Sequence, residues 1–309
     1  MQPQPAIINY QQFKATFDKE IFSDAKAKLI RNIAEHPERF VGLFRATLPE
    51  TKLRQNLLQS HEIRFGNAFE KILLAYLAAA GWQPLDSALQ SQDKGKLEPD
   101  ILMQKQGQIL FAEVKVRDDH DSTKKRGQIN NFRQKVTALL QAYGPALQFG
   151  FFYFIDPNMV KNRNYYQDEL NQFTQQLNQP SSPYPINQGL QLRVAYGPDF
   201  FYALGLAQLW IEIEQHLFVW RSQLPQEPDL NFDRDAAASA MELGSLPPRI
   251  LIRLFTNPAI VEQILPVLFP HGATLQLLAQ QLQHRTQTAQ LQQILQLINE
   301  YLQRRSAVK

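Results

Sequence analysis

Two carboxylates and a lysine stand close enough in this sequence to act together: Glu98-Pro99-Asp100 and, after twelve intervening residues, Glu113-Val114-Lys115. Side chains alternate along a strand, so Glu113 and Lys115 project from one face while Ala112, Val114 and Val116 point to the other. Ile101 to Met103 and Ile109 to Val116 read as strands, with Gln106-Gly107 as the hairpin turn between them. That hairpin is expected to bring Asp100 within reach of Glu113. Carboxylates are hard oxygen donors suited to Mg2+, with the main-chain carbonyl of Val114 as a third ligand. A cation held there lowers the pKa of a bound water and offsets charge on a phosphate under attack. Lys115 beside it positions the water, helps to remove its proton or stabilises its negative charge. The chemistry expected is metal-assisted phosphodiester hydrolysis with Mg2+, for which Mn2+ substitutes. Without Lys115 the two carboxylates are expected to repel each other in the metal-free protein.

The elements that must position this group follow from periodicity. Phe13, Phe17, Ile21 and Phe22, then Leu29, Ile30 and Ile33, recur at helical steps. A longer helix is expected from about Ser60 to Ala80, ended by Gly81. After the hairpin, Gly127 to Tyr143 reads as a helix and the aromatic run Phe149 to Ile155 as a strand buried on both faces. Asn171 to Pro185 is polar and ends in a Pro/Ser-rich loop, and Leu190 to Tyr196 alternates as a further strand. Helices are expected again over Leu206 to Ser222, Pro247 to Phe269 and Thr274 to Gln303, with a linker around Pro225 to Asp233. The fold class expected is α/β: a mixed central sheet flanked by helices, with helical additions at both ends. The corresponding division is a helical region over 1–60, a sheet-bearing core over 61–205 and a helical region over 206–309.

Composition excludes several classes. Among 309 residues there is no cysteine, so disulfides, thiolate zinc sites and a cysteine nucleophile are ruled out. The six histidines are scattered and form no metal-binding pair; His120, nearest the carboxylates, reads as a solvated loop residue. Ser122 has no nucleophile-elbow glycines around it. The opening Met1-Gln2-Pro3-Gln4-Pro5 lacks the features of a secretory leader, and the longest apolar run, Ile72 to Ala80, is about half a membrane span. A cytoplasmic protein without membrane contact is expected.

Residue by residue, Pro99-Asp100 and Glu113-Val114-Lys115 resemble the PD and (D/E)XK elements of the PD-(D/E)XK nuclease superfamily. The hairpin length between them, and the helix and hydrophobic strand that follow, are in the order of that superfamily. Gly66-Asn67-Ala68-Phe69-Glu70 resembles its upstream GxxxE element, and Gly66, Glu70, Leu73 and Leu77 share one helix face. Glu70 is therefore placed near the buried side, where a carboxylate needs a metal ion or Lys115. The resemblance is confined mainly to Arg64 to Gly205. It implies a restriction-endonuclease-like fold, and among the superfamily's activities it is most similar to a type II restriction endonuclease, with catalytic Asp100, Glu113, Lys115 and Glu70. Chain size, the absence of an ATPase motif, and Val194 to Phe201 with Leu204-Gly205 support that choice.

The implied partners are double-stranded DNA, a second copy of the chain in a homodimer and, on the restriction reading, a cognate DNA methyltransferase in a prokaryotic cytoplasm. From Ser122 to Ile155 there is no acidic residue, which suits contact with a polyanion. Arg117 to Gln128 reads as a DNA-facing loop. Lys124, Lys125 and Arg126 are candidate phosphate contacts, with Arg117, Gln128 and Arg133 beside them. Asn162 and Arg163, with Asn164 and Tyr165, form a second candidate patch. Two other readings stand: a structure-selective nuclease of the resolvase or repair type, and a catalytically silent DNA-binding protein of the same fold.

Overall fold

The computed structural model describes residues 6–86, 89–91, 95–118, 121–179, 189–284 and 288–307. In chain order its elements begin with α1 (Tyr10–Phe22), α2 (Ala25–Glu35), α3 (Pro49–Ala79), β1 (Gln83–Pro84), β2 (Leu89–Ser91) and β3 (Gly95–Leu97). Then come β4 (Ile101–Lys105), β5 (Gln108–Lys115), α4 (Ser122–Tyr143), β6 (Leu147–Phe154), α5 (Arg163–Leu177), β7 (Gln191–Tyr196), α6 (Pro198–Ala203) and α7 (Ala207–Ser222). The chain ends in α8 (Ala236–Gly244), α9 (Pro248–Thr256), α10 (Pro258–Gln263), α11 (Leu265–Leu268), α12 (Ala273–Gln283) and α13 (Ala289–Ala307).

Five strands form one mixed sheet in the order β1-β4-β5-β6-β7, and β2 and β3 form a separate two-stranded ribbon. β4 and β5 are antiparallel, from Ile101 opposite Ala112 to Lys105 opposite Gln108. Gln106 and Gly107 between them take φ of 50° and 80°. Positive φ at both positions is the two-residue hairpin turn whose twist matches the strands it joins. β5, β6 and β7 run parallel, so the chain must cross over between them, and α4 and α5 are those crossovers. β6 is covered on both faces as its aromatic run predicts. Phe152 and Phe154 meet Phe132 and Tyr166 on the helix side, and Phe151 and Tyr153 meet Phe200 on the other. The α/β class with a mixed sheet flanked by helices is thus the observed one.

Several helices depart from their expected bounds, each for a local reason. α3 begins at Pro49 instead of near Ser60, because proline is accommodated in a helix's first turn. The single helix expected over Pro247 to Phe269 is three, since Pro258 and Pro266 cannot donate backbone N–H groups. Asn257 opens the second of them by accepting the N–H groups of Ala259 and Ile260. α5 begins at Arg163, within the candidate patch at Asn162 to Tyr165, and takes in the first part of the polar stretch that starts at Asn171. Its buried residues Tyr166, Leu170, Phe173 and Leu177 recur at helical spacing among polar neighbours. Part of the expected loop before β7, and His120, lie outside the described residues.

The chain packs as two units, Met1–Glu20 with Phe65–Leu224, and Ile21–Arg64 with Pro225–Lys309. The first holds the sheet. There Phe13 and Phe17 of α1 meet His216 and Trp220 of α7, and the N–H groups of Ile7 and Ile8 donate to Glu212. The second is helical, its core joining Leu29, Ile30 and Ile33 of α2 to Leu243, Ile250, Leu254, Leu275 and Ile298. The boundaries read from sequence, at 60 and 205, are not where the chain changes unit. Helices pair by complementary apolar faces and not by chain order, so α1 and α2 go to different units. Among the described residues no single helix is long and apolar enough to cross a membrane. One bent pair, Pro248–Thr256 with Pro258–Leu268, meets the length and composition for a span, and much of it is buried in the second unit's core.

Candidate active site

The β4–β5 ladder sets the geometry. Extending its register by one residue places Asp100 opposite Glu113. Asp100 Oδ2 accepts the backbone N–H of Val114 at 2.7 Å, which fixes the carboxylate at the strand's edge. Lys115, two residues beyond Glu113 and so on its face, turns its ammonium back over the hairpin. Nζ donates to the Val114 carbonyl at 2.8 Å, to Glu113 Oε1 at 2.9 Å and to Asp100 Oδ2 at 3.4 Å. The hairpin therefore assembles all the atoms that the sequence marked: two carboxylates and one carbonyl, converging on one positive charge.

Burial sharpens these interactions. Glu113 is only 4% exposed, and an isolated carboxylate there would lose most of its hydration. Its second oxygen, Oε2, accepts from Lys135 on α4, itself buried. The sequence marks Lys135 only as one of the basic residues in the acid-free stretch from Ser122 to Ile155, and not as a partner of Glu113. The signal was present: it lies three residues after Phe132 and four before Leu139, within the apolar stripe of α4. Burial pulls the Lys115 pKa down, but the Glu113 and Asp100 carboxylates more than reverse this and hold it above the usual lysine value. The ammonium is charged at neutral pH.

Glu70 reaches the group from α3. Burial, then the negative charges of Asp100 and Glu113, push its pKa up to about 7, while Lys115 and Lys135 work in the opposite direction. Gly66, one turn earlier, faces Val116, and a β-carbon there would stand 3.2 Å from Val116 Cγ2. The missing side chain lets α3 lie close against the end of β5. Among the described residues no three acidic or histidine side chains form a metal-binding group by themselves. The oxygens that surround the Lys115 ammonium come from two carboxylates and a main-chain carbonyl.

The residues marked for DNA contact separate into two kinds. Ser122 to Gln128 is not loop but the start of α4, because Asp121 caps it by accepting the N–H groups of Thr123 and Lys124 at 3.1 and 2.9 Å. Arg117, Lys124 and Arg126 are exposed there. Lys125 is half-buried, donating to Asn162 Oδ1 at 3.2 Å, with its ammonium 4.3 Å from the Tyr165 ring centre. Gln128 accepts from the Tyr166 hydroxyl at 3.0 Å, and Arg133 bridges α4 to α5 through the Glu169 carbonyl and carboxylate. Asn162 is buried, its backbone and side-chain N–H groups donating to Asp118 at 2.7 and 2.8 Å. Asp118, fully buried, also accepts from the Tyr196 hydroxyl at 2.8 Å. Arg163 remains exposed, paired with Asp199 at 3.3 Å over the Tyr196 ring. Asp118 had no local signal, since its partners lie 44 and 78 residues further along.

Residues 82–180, about a third of the chain, match the family model described as type II restriction endonuclease, HinfI. No curated protein and no solved structure matches the chain. The matched segment holds Asp100 just before β4, Glu113 and Lys115 on β5 and Lys135 on α4, while Glu70 lies before it. Over that segment the chain is similar to the type II restriction endonucleases of the HinfI family, and its hairpin carries the Pro99-Asp100 and Glu113-Val114-Lys115 residues that resemble the PD-(D/E)XK arrangement.

Proposed function

We propose that the protein is a divalent-metal-dependent endonuclease that hydrolyses phosphodiester bonds of double-stranded DNA at a specific sequence. The observation that carries this is the meeting of Asp100 Oδ2, Glu113 Oε1 and the Val114 carbonyl on one ammonium, that of Lys115. Three oxygens already arranged around a cation fit a hard metal ion, and Asp100, Glu113 and Val114 are the residues that would hold it. Mg2+ is the ion we assign, with Mn2+ as a substitute; when bound, it offsets charge on the phosphate and acidifies water. Lys115, charged at neutral pH, then faces the developing negative charge of the transition state and stabilises it electrostatically. Glu70, with a pKa of about 7, is matched to hold or release a proton near neutrality.

The exposed Arg117, Lys124 and Arg126 border β5 and open α4, where they would bind phosphates and set the duplex against Lys115. Arg163 is a more peripheral contact of the same kind. A palindromic site needs one active centre per strand, so we assign a homodimer. A cognate methyltransferase in a prokaryotic cytoplasm completes the restriction reading.

The test is digestion of phage-sized linear DNA with purified protein and Mg2+, beside EDTA and Lys115→Ala controls. Discrete fragments absent from both controls are expected, and end-mapping them gives the site. Intact linear DNA together with cleavage of branched substrates would overturn sequence-specific cutting in favour of structure-selective cutting.

A further inference from the structure

Glu113 is held from both ends. Oε1 faces Lys115 at 2.9 Å, and Oε2 is bonded to Lys135, whose side chain is 6% exposed against 5% for that of Glu113. Lys135 comes from the middle of α4, packed through Ile129, Phe132, Val136 and Leu139 against the sheet. Its own position is therefore set by the core and not by solvent.

A buried lysine is costly unless its charge is matched, and side-chain ion pairs at such depth are seldom worth more than an apolar pair of the same shape. Stability alone gives little reason for this position to be anything but leucine or methionine. The contact has a direction, however: it takes Oε2 away from the site and leaves Oε1 toward Asp100 and the Val114 carbonyl. Groups that hydrogen-bond a metal ligand from behind fix its orientation, and their loss typically lowers metal affinity about 10–100-fold.

We propose that Lys135 is a positioning residue of the active site, holding Glu113 by Oε2 so that Oε1 is the oxygen offered to the metal ion. This rests on the nuclease reading above. Lys135 does not touch the substrate; it acts through Glu113. α4 then carries two functions on one rigid rod, with Lys124 and Arg126 at its opening and the orientation of a metal ligand some two to three turns further on.

The experiment is Mn2+ titration of the free protein followed by electron paramagnetic resonance, on wild type, Lys135→Met and Lys135→Arg, with cleavage measured across Mg2+ concentration. Lys135→Met should weaken Mn2+ binding at least tenfold and raise the Mg2+ needed for half-maximal cleavage, with a smaller change in the rate at saturating metal. Lys135→Arg, which keeps a donor to Glu113, should restore much of the affinity. Where Lys135→Met does not fold, Lys135→Gln is read in its place. Wild-type Mn2+ affinity in the folded neutral variants overturns the proposal while leaving the nuclease reading intact. A wild-type protein that neither binds Mn2+ nor cleaves DNA overturns both.

Discussion

The α-carbon of Gly66 sits so close to β5 that a β-carbon on it would lie 3.2 Å from Cγ2 of Val116. Val116 follows Lys115, and Glu70 is one helical turn beyond Gly66, so this contact sets how near α3 brings its carboxylate to the hairpin. Alanine at Gly66 gains about 1 kcal/mol of helix propensity, which opposes the tight contact. Gly66→Val adds branched bulk beside a contact that is already tight. It should destabilise the protein by about 1–3 kcal/mol and lower cleavage by more than that loss explains. Urea denaturation together with cleavage rates at a temperature where the variant is folded would separate the two effects.

Lys115→Met removes the charge on which Asp100, Glu113 and the Val114 carbonyl converge. Breaking a fully buried pair from one side costs about 3–5 kcal/mol. With the Lys115 side chain 25% exposed, a loss of about 2 kcal/mol is expected in metal-free protein. Added Mg2+ should raise the melting temperature of the variant more than that of wild type, because the ion replaces the missing charge between the carboxylates. Equal metal-induced shifts would argue that the ion goes elsewhere. Cleavage should fall at least about 100-fold, the scale of losing a transition-state charge partner.

The pH dependence of stability should report Glu70. Its pKa is raised from 4.5 in the unfolded reference to about 7 in the folded protein, so between those values the folded state binds the extra proton. The associated stability is present in full below 4.5 and is lost as pH rises through 7. Relative to wild type, Glu70→Gln should therefore gain stability as pH rises across that interval and level off above it. Denaturation in EDTA over this range measures the difference, and a flat difference would contradict the assignment.

Asp118→Ala leaves the buried donors of Asn162 and Tyr196 without their acceptor. Hydrogen bonds to a charged group contribute about 1.5–3 kcal/mol each, so the loss should be about 3 kcal/mol or more. Asn162→Ala should act in the same direction, as a packing and hydrogen-bond defect, and not as a loss of DNA contact. Thermal melts beside metal-free DNA binding of the folded fraction distinguish these outcomes.

For the basic residues of α4, Lys124→Ala should weaken DNA binding and reduce the slope of log affinity against log salt by about 1, with little change in stability. Arg133→Ala should do the reverse. Its guanidinium joins Glu169 across α4 and α5, so the melting temperature falls while the salt slope holds. Fluorescence anisotropy with a labelled duplex in EDTA, at several salt concentrations, provides both slopes.

Local chemistry was legible before any tertiary structure. Alternation along a strand puts Glu113 and Lys115 on one face, a two-residue turn at Gln106-Gly107 fixes the register, and register places Asp100 opposite Glu113. Each of these is a short-range rule, and the central aromatic strand followed from composition in the same way. What only the tertiary structure decided involves contacts whose partners are far apart in the chain. Lys135 reaches Glu113 across 22 residues, and Asp118 reaches Tyr196 across 78. A lysine in an apolar stripe or an aspartate after a strand looks the same in sequence whether it meets solvent or a buried partner. Asn162 and Arg133 read as DNA contacts from sequence, and their intramolecular partners, Asp118 and Glu169, emerge only from the fold. The division into two interleaved units was equally hidden, because an apolar helix face states that it must be covered but not by which helix.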